Sequence, residues 1–199
     1  MQIQPIFETE ECDMTNYYFF QNGFNQQELD KIFSSIKNLP TNDGLVSGDG
    51  IPNKEIRSST IKWIPKNDGF GWLYFSLMEF AAEANKNLWN FNLYSVIDNI
   101  QYTEYHATQQ GHYGWHQDVG GSSMSKRKLS MVVQLSDPSE YEGGNFQIFK
   151  GGNPENAEIV PKDKGYVCIF PSYMMHRVTP VTSGVRKSLV LWLGGEHYK

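Results

Sequence analysis

The residues best suited to chemistry sit in Gly114-Trp115-His116-Gln117-Asp118 and, further along, at His176 and Arg186. In a β-strand residues i and i+2 share a face, so His116 and Asp118 would present an imidazole nitrogen and a carboxylate oxygen to one point. His176 lies in Phe170-Pro171-Ser172-Tyr173-Met174-Met175-His176-Arg177-Val178, where β-formers follow a Pro-containing loop, so strand context is expected there too. Two histidines and one carboxylate, with coordination positions left open, suit non-heme Fe(II) and O2 chemistry. Between His176 and Arg186, Thr179-Pro180-Val181-Thr182-Ser183-Gly184 reads as the short loop of a hairpin. A turn centred on Val181 would set Arg186 opposite His176, one strand from the metal, where a guanidinium can grip a carboxylate with two parallel hydrogen bonds. A metal beside such a clamp implies a small acidic co-substrate.

His112 is the rival ligand. His112, His116 and His176 would make a three-histidine zinc site of hydrolytic type, but that set leaves Asp118 and Arg186 without a purpose. His106 shares the polar loop with His112, and His197 in the C-terminal tail reads as solvated.

The elements that must position these residues divide the chain in two. Residues 1–92 read as helical support with irregular connections, and residues 93–195 as a β core within one domain of 1–199. A strand is expected at Ile3–Phe7. Asn25-Gln26-Gln27-Glu28 has the form of a capping box, and Leu29, Ile32, Phe33 and Ile36 then recur on one helical stripe. Trp72 to Leu88 repeats the pattern with Leu73, Leu77, Phe80, Ala81, Ala84 and Leu88. Between the helices, residues 41–53 are rich in turn formers and read as a loop, either inert or a lid. Arg57 to Ile64 reads as a strand. Arg57 and Trp63 are candidates for substrate contact there, a surface arginine and a core tryptophan being the structural alternatives. From Leu93 onward, short β-runs separated by Gly, Pro, Asn and Asp indicate a sandwich or barrel. In Arg186 to Leu193, strand parity turns Arg186, Ser188, Val190 and Trp192 inward and Leu189, Leu191 and Leu193 outward, where the helices would cover them. The same parity brings Ser130, Val132 and Gln134 into the cavity.

Bulk properties narrow the class. At 199 residues and 39% apolar, the chain has one core's worth of material. Cys12 and Cys168 lie far apart with no Cys-x-x-Cys spacing, as fits a reducing compartment. The start of the chain lacks a basic segment followed by an apolar one, and no apolar run reaches membrane-spanning length, so no membrane association and a cytoplasmic location are expected. The net charge is −5, and Lys126-Arg127-Lys128 and Lys162-Asp163-Lys164 are short, which argues against duplex nucleic acid as a partner.

The C-terminal half, from about Ile100 to Gly194, resembles a known family. The resemblance runs through Tyr102-Thr103-Glu104-Tyr105, Gly111 to Asp118, Glu142-Gly143-Gly144, Gly165 to Ser172, His176-Arg177-Val178 and Gly184 to Trp192. It is a resemblance to the Fe(II)/2-oxoglutarate-dependent oxygenases, in their prolyl 4-hydroxylase-like branch of bacterial and phage type. It implies a cupin-like jelly roll, a double-stranded β-helix, mainly β, with the N-terminal helices packed on one sheet. It also implies Fe(II), 2-oxoglutarate and O2, with ascorbate as a supporting reductant. Carried onto this chain, it makes His116, Asp118 and His176 iron ligands, Arg186 the partner of the far carboxylate of 2-oxoglutarate, and Tyr105 a donor to that co-substrate. The lead-in from Tyr105 to Gly111 is longer than the family pattern, which keeps Tyr102 and Tyr113 as alternatives. Ser130 and Ser188 join the expected co-substrate pocket, and Tyr102, Tyr113, Gln134, Trp192, Arg57 and Trp63 are the expected substrate contacts.

A carboxylate ligand at Asp118 favours hydroxylation over halogenation. By resemblance the substrate is a prolyl residue in a peptide or protein. Free proline or another small molecule would need a further charged clamp, from Arg57, Arg127 or Arg177. Nucleic-acid oxidation and a non-catalytic ligand-binding sandwich complete the alternatives.

Overall fold

The structure, a computed structural model, describes residues 16–45 and 53–196. In chain order its elements are β1 (Tyr18–Phe20), α1 (Gln26–Ile36), β2 (Asn42–Asp43), β3 (Arg57–Ser58), β4 (Thr60–Ile64), α2 (Gly71–Leu88), β5 (Leu93–Val96), β6 (Ile100–His106), β7 (His112–His116), β8 (Arg127–Gln134), β9 (Tyr141–Gly143), β10 (Phe146–Ile148), β11 (Glu158–Ile159), β12 (Val167–Pro171), β13 (His176–Val178) and β14 (Val181–Gly195). The strand expected at Ile3–Phe7, Cys12, His197 and residues 46–52 of the proposed lid lie outside the described residues.

Helix α1 starts where its cap dictates. The Asn25 side chain accepts from the Glu28 N–H at 3.1 Å, and the Glu28 carboxylate accepts from the Asn25 N–H at 2.8 Å. Its stripe buries Leu29, Ile32 and Ile36. Helix α2 has no side-chain cap and relies on burial of Leu73, Tyr74, Leu77, Ala81 and Ala84. Both stripes share one core with Leu189, Leu191 and Leu193 of β14, so the outward leucine ladder is covered as its parity requires. No described helix is long and apolar enough to cross a membrane.

The strands form two antiparallel sheets. The larger runs β1-β12-β8-β14-β6-β4-β2, with β5 and β9 also pairing with β14, and the smaller runs β11-β10-β13-β7-β3. A second core, holding Tyr105, Val132 and Phe170 from the larger sheet and Phe146, Ile148 and Val178 from the smaller, fills the space between them. The fold is mainly β with two covering helices, the expected double-stranded β-helix.

Two local expectations are corrected. Arg57 to Ile64 is not one strand: β3 pairs with β7 in the smaller sheet, and β4 pairs with β6 in the larger. The chain changes sheet at Ser59. Nor do His176 and Arg186 lie on a hairpin. β13 belongs to the smaller sheet and β14 to the larger, with Thr179–Pro180 crossing between them. Arg186 therefore faces His116, Asp118 and His176 across the sandwich. The first 92 residues, for their part, contribute four strands among the described residues as well as the helices.

Leu77 is fully buried where α2 meets the sheet, whereas Phe75 on the same helix is 59% exposed. Leu77→Ala is expected to lower stability by about 2–5 kcal/mol in urea titration. Phe75→Ala should stay within about 0.5 kcal/mol of the parent.

Candidate active site

A cavity of about 500 Å3 opens between the sheets. On its smaller-sheet side, His116 ends β7 and His176 begins β13 as direct cross-strand partners, with ring centroids 4.1 Å apart. Asp118 lies two residues beyond β7, so strand alternation does not place it. A bend does, held by the Asp118 N–H donating to the Ser172 carbonyl at 2.9 Å. Asp118 Oδ1 is 3.8 Å from His116 Nε2, and Oδ2 is 3.5 Å from His176 Nε2. One ligand atom from each residue falls within 4.8 Å of the others. The far nitrogens are fixed as well: His116 Nδ1 bonds the Gly114 carbonyl at 2.8 Å and His176 Nδ1 the Met174 carbonyl at 2.9 Å. A carbonyl only accepts, so each Nδ1 carries a proton, and each Nε2 is turned to the shared point.

Protonation follows the same geometry. Burial, helped by His176, pushes His116 down to about 3 against the pull of Asp118. Burial raises the Asp118 carboxyl, but both imidazoles and the Ser130 hydroxyl more than offset it, leaving the group below the ordinary carboxylate value. Ser130 donates to Asp118 Oδ2 at 2.6 Å and sits 2.9 Å from the Ser172 hydroxyl. A neutral imidazole and a carboxylate are the forms a metal ligates.

Across the cavity, Arg186 on β14 is 1% exposed and lies opposite Tyr105 on β6, its Cζ 5.5 Å from the Tyr105 ring. Its Nη2 donates to Gln134 Oε1 at 2.9 Å and its Nη1 to the Ser188 hydroxyl at 3.3 Å. Its Nε has no partner, and no carboxylate of a described residue pairs with it. Burial lowers its pKa, the expected response of a cation surrounded by neutral groups. Gly144, at φ +55°, lets β9 and its following turn press against this side chain: a Cβ there would lie 3.1 Å from Arg186 Cδ.

The profile of the 2OG-Fe(II) oxygenase superfamily matches residues 100–194. A PKHD-type hydroxylase of Synechococcus sp. (strain CC9605) is 30% identical over 163 residues, covering 80% of this chain and 68% of the relative. The chain belongs to the 2OG-Fe(II) oxygenase superfamily. Other PKHD-type relatives match over less of their length, as with one from Prochlorococcus marinus, 37% identical across 52% of this chain and 45% of that protein. Two solved structures share the fold. A prolyl hydroxylase from Trichoplax adhaerens, in complex with a hypoxia inducible factor oxygen degradation domain peptide fragment, superposes with a TM-score of 0.75 at 14% identity, over 92% of this chain and 85% of that one. A Pseudomonas putida prolyl-4-hydroxylase gives 0.67 at 17%, over 90% and 92%. This oxygenase is thus a 2-oxoglutarate-dependent dioxygenase using Fe(II) and O2, and its His-Asp-His donor set fits Fe(II).

The oxygenase fold sorts the remaining candidates. Tyr105, Tyr113, Ser188, Trp192, Arg57 and Trp63 all line the cavity. Tyr113 stacks 3.5 Å above the His116 ring. Trp63 is 39% exposed at the mouth, not a core residue, and Arg57 is 6% exposed, not a surface one. Ser130 and Gln134 point inward as parity predicts, yet their hydrogen bonds run to Asp118 and Arg186, so they position those groups from behind. Tyr102 is misplaced by the sequence reading: three positions from Tyr105, it faces the helices, bonds Glu104 at 2.6 Å and packs edge-on against Phe33. The three-histidine zinc site does not form, because both His112 nitrogens address the carbonyls of Gln110 and Glu55. Arg177 stacks on Trp115 and bonds Gln147, off the cavity. Sequence reasoning missed Gln101, Phe146 and Tyr141. Gln101 shares the parity of Tyr105, and Tyr141 beside Arg186 directly precedes the Glu142-Gly143-Gly144 segment, so both carried a usable signal.

His176→Ala and Asp118→Ala are each expected to abolish Mn(II) binding, read by paramagnetic resonance of free Mn(II). Ser130→Ala, which frees Asp118 from its donor, should weaken it by about 10–100-fold. Parent-like affinity in Ser130→Ala would remove the positioning role of that hydroxyl.

Proposed function

We propose that this oxygenase hydroxylates a prolyl residue in a peptide or protein, with succinate and CO2 as co-products. The observation that carries the reading is that a three-ligand metal cluster and an uncompensated buried guanidinium open into one cavity. In this reading His116, Asp118 and His176 ligate iron, and Arg186 receives the far carboxylate of 2-oxoglutarate. Tyr105 and Ser188 line the co-substrate's path along β6 and β14. Bound Fe(II) supplies O2 activation coupled to decarboxylation of the co-substrate. The protein's own work is geometric. The Gly114 and Met174 carbonyls hold the imidazoles, Gln134 holds the guanidinium fork, and Val132, Phe146 and Val190 keep the space between them dry. Tyr113, Trp192 and Trp63 offer aromatic faces on which a pyrrolidine ring can pack.

Support for the prolyl substrate comes from the PKHD-type relatives and from the prolyl hydroxylases among the fold's neighbours, one of them seen with a peptide. A small-molecule substrate is the second reading, favoured by Arg57, a charged side chain inside the cavity.

The test is 2-oxoglutarate turnover under O2 with Fe(II) and ascorbate, comparing no substrate, free proline and a panel of proline-containing peptides, with mass readout. Stimulated turnover with one added oxygen on peptides but not on free proline is expected; the reverse moves the assignment to small molecules. Arg186→Ala should raise the KM for 2-oxoglutarate by at least about tenfold, the loss of one charge-assisted contact. A parent-like KM would take the clamp away from Arg186.

A further inference from the structure

Three arginines line the cavity, and their charges are treated differently. Arg127 is neutralised by Asp98, with its Nη2 2.6 Å from Oδ2. Arg186 faces the space assigned above to 2-oxoglutarate. Arg57 remains. Its Nε donates to the Ser59 hydroxyl at 2.9 Å and its Nη1 to the Leu45 carbonyl at 3.1 Å, while its Nη2 is buried with no partner. No carboxylate of a described residue pairs with it; Asp43 lines the same cavity without reaching it.

The guanidinium is held rigidly. Its Cζ lies 4.8 Å from the centre of the Tyr113 ring, which also stacks on the His116 imidazole. The chain at Gly44 closes over its edge, where a Cβ would come within 2.7 Å of Arg57 Nε and collide with Ser59 Oγ. The Gly44 N–H donates to the Ser59 carbonyl at 2.9 Å and keeps the two segments together. A fixed, desolvated fork with one free nitrogen has little conformational freedom left to lose on binding. A neutral carbonyl could satisfy that N–H but would leave the charge uncompensated, and an isolated buried charge is what protein interiors avoid.

We infer that Arg57 receives a carboxylate of the substrate, so that the preferred substrate bears an acidic group beside the carbon to be hydroxylated. This deepens the hydroxylase reading and rests on its assignment of Arg186 to 2-oxoglutarate. The carboxylate has two available sources, a chain-terminal α-carboxylate or a neighbouring acidic side chain. Arg57 and His116 both contact the Tyr113 ring and line the same cavity, so an anchored carboxylate holds its neighbouring carbons on the metal side of that cavity.

The experiment is anaerobic calorimetry on the Fe(II)- and 2-oxoglutarate-loaded protein, in which Arg186 is already engaged. Three probe pairs are titrated: N-acetylproline against its amide, capped Asp-Pro against capped Asn-Pro, and N-acetylvaline against its amide. At least one carboxylate is expected to bind about tenfold or more tighter than its neutral partner, the factor one charge-assisted hydrogen bond supplies. Whichever of the first two pairs shows it names the source. Arg57→Gln should collapse the ratio and Arg57→Lys should restore part of it, with circular dichroism and 2-oxoglutarate titration confirming that both variants are folded. Equal binding within every pair, no measurable binding of any carboxylate, or a ratio that survives Arg57→Gln would each overturn the inference. Exposure of the same samples to O2 separates the two readings. An Arg57-dependent preference without oxygen added to any prolyl compound sinks the prolyl assignment alone. Hydroxylated proline with no carboxylate preference sinks the Arg57 assignment alone.

Discussion

Two charged groups of opposite sign, Asp118 and Arg186, are buried in one cavity without protein counter-ions bonded to them, and much of the structure serves to hold them in that state. Desolvating a carboxylate or a guanidinium costs several kcal/mol each, so hydrogen bonds to neutral groups offset only part of that cost until a balancing partner binds. Asp118 has two imidazoles and a serine hydroxyl around it, an environment that becomes favourable when a cation enters. Arg186 has an amide oxygen and a serine hydroxyl, which become adequate when an anion enters. Fe(II) and 2-oxoglutarate are a cation and a dianion of suitable size. In the proposed reading, their joint binding at Asp118 and Arg186 would cancel both penalties.

The two sheets divide this labour. The smaller sheet supplies the histidines, through the direct pairing of β7 with β13, and the larger sheet supplies the anion side through β6, β8 and β14. β14 is the hinge of the arrangement. Its inward positions carry Arg186, Ser188 and Trp192, and its outward leucines lie in the helix-side core, so packing of α1 and α2 fixes the height at which the guanidinium sits. Register errors of one residue would exchange these faces, which is why the leucine ladder matters to chemistry on the opposite side.

Local rules are readable where the structure uses them locally. The Asn25–Glu28 box starts α1, and alternation in β14 separates clamp from core. The candidate metal-binding cluster is legible from residue types, although Asp118 reaches it through a bend and not through strand periodicity. Sheet membership is not legible. β3 and β4 are joined by a single residue, yet they pair with β7 and β6 in different sheets, and those partners lie roughly fifty residues away in the chain. The same ambiguity makes a hairpin of β13 and β14. It also leaves the facing of β6 open, so Tyr102 and Tyr105 cannot be told apart until that strand is seated. Charged residues default to solvent, which makes the surface the ordinary place for Arg57; its burial depends on Gly44 and Tyr113, both remote from it in sequence.

The most direct test of the central claim is calorimetric titration of 2-oxoglutarate under anaerobic conditions into metal-free and Mn(II)-loaded protein, with the titration repeated in reverse order. If the cation and the anion satisfy complementary buried charges, each should raise the affinity of the other by the same factor, since coupling between bound ligands is reciprocal. Independent binding, with 2-oxoglutarate affinity the same in the presence and absence of metal, would contradict the account.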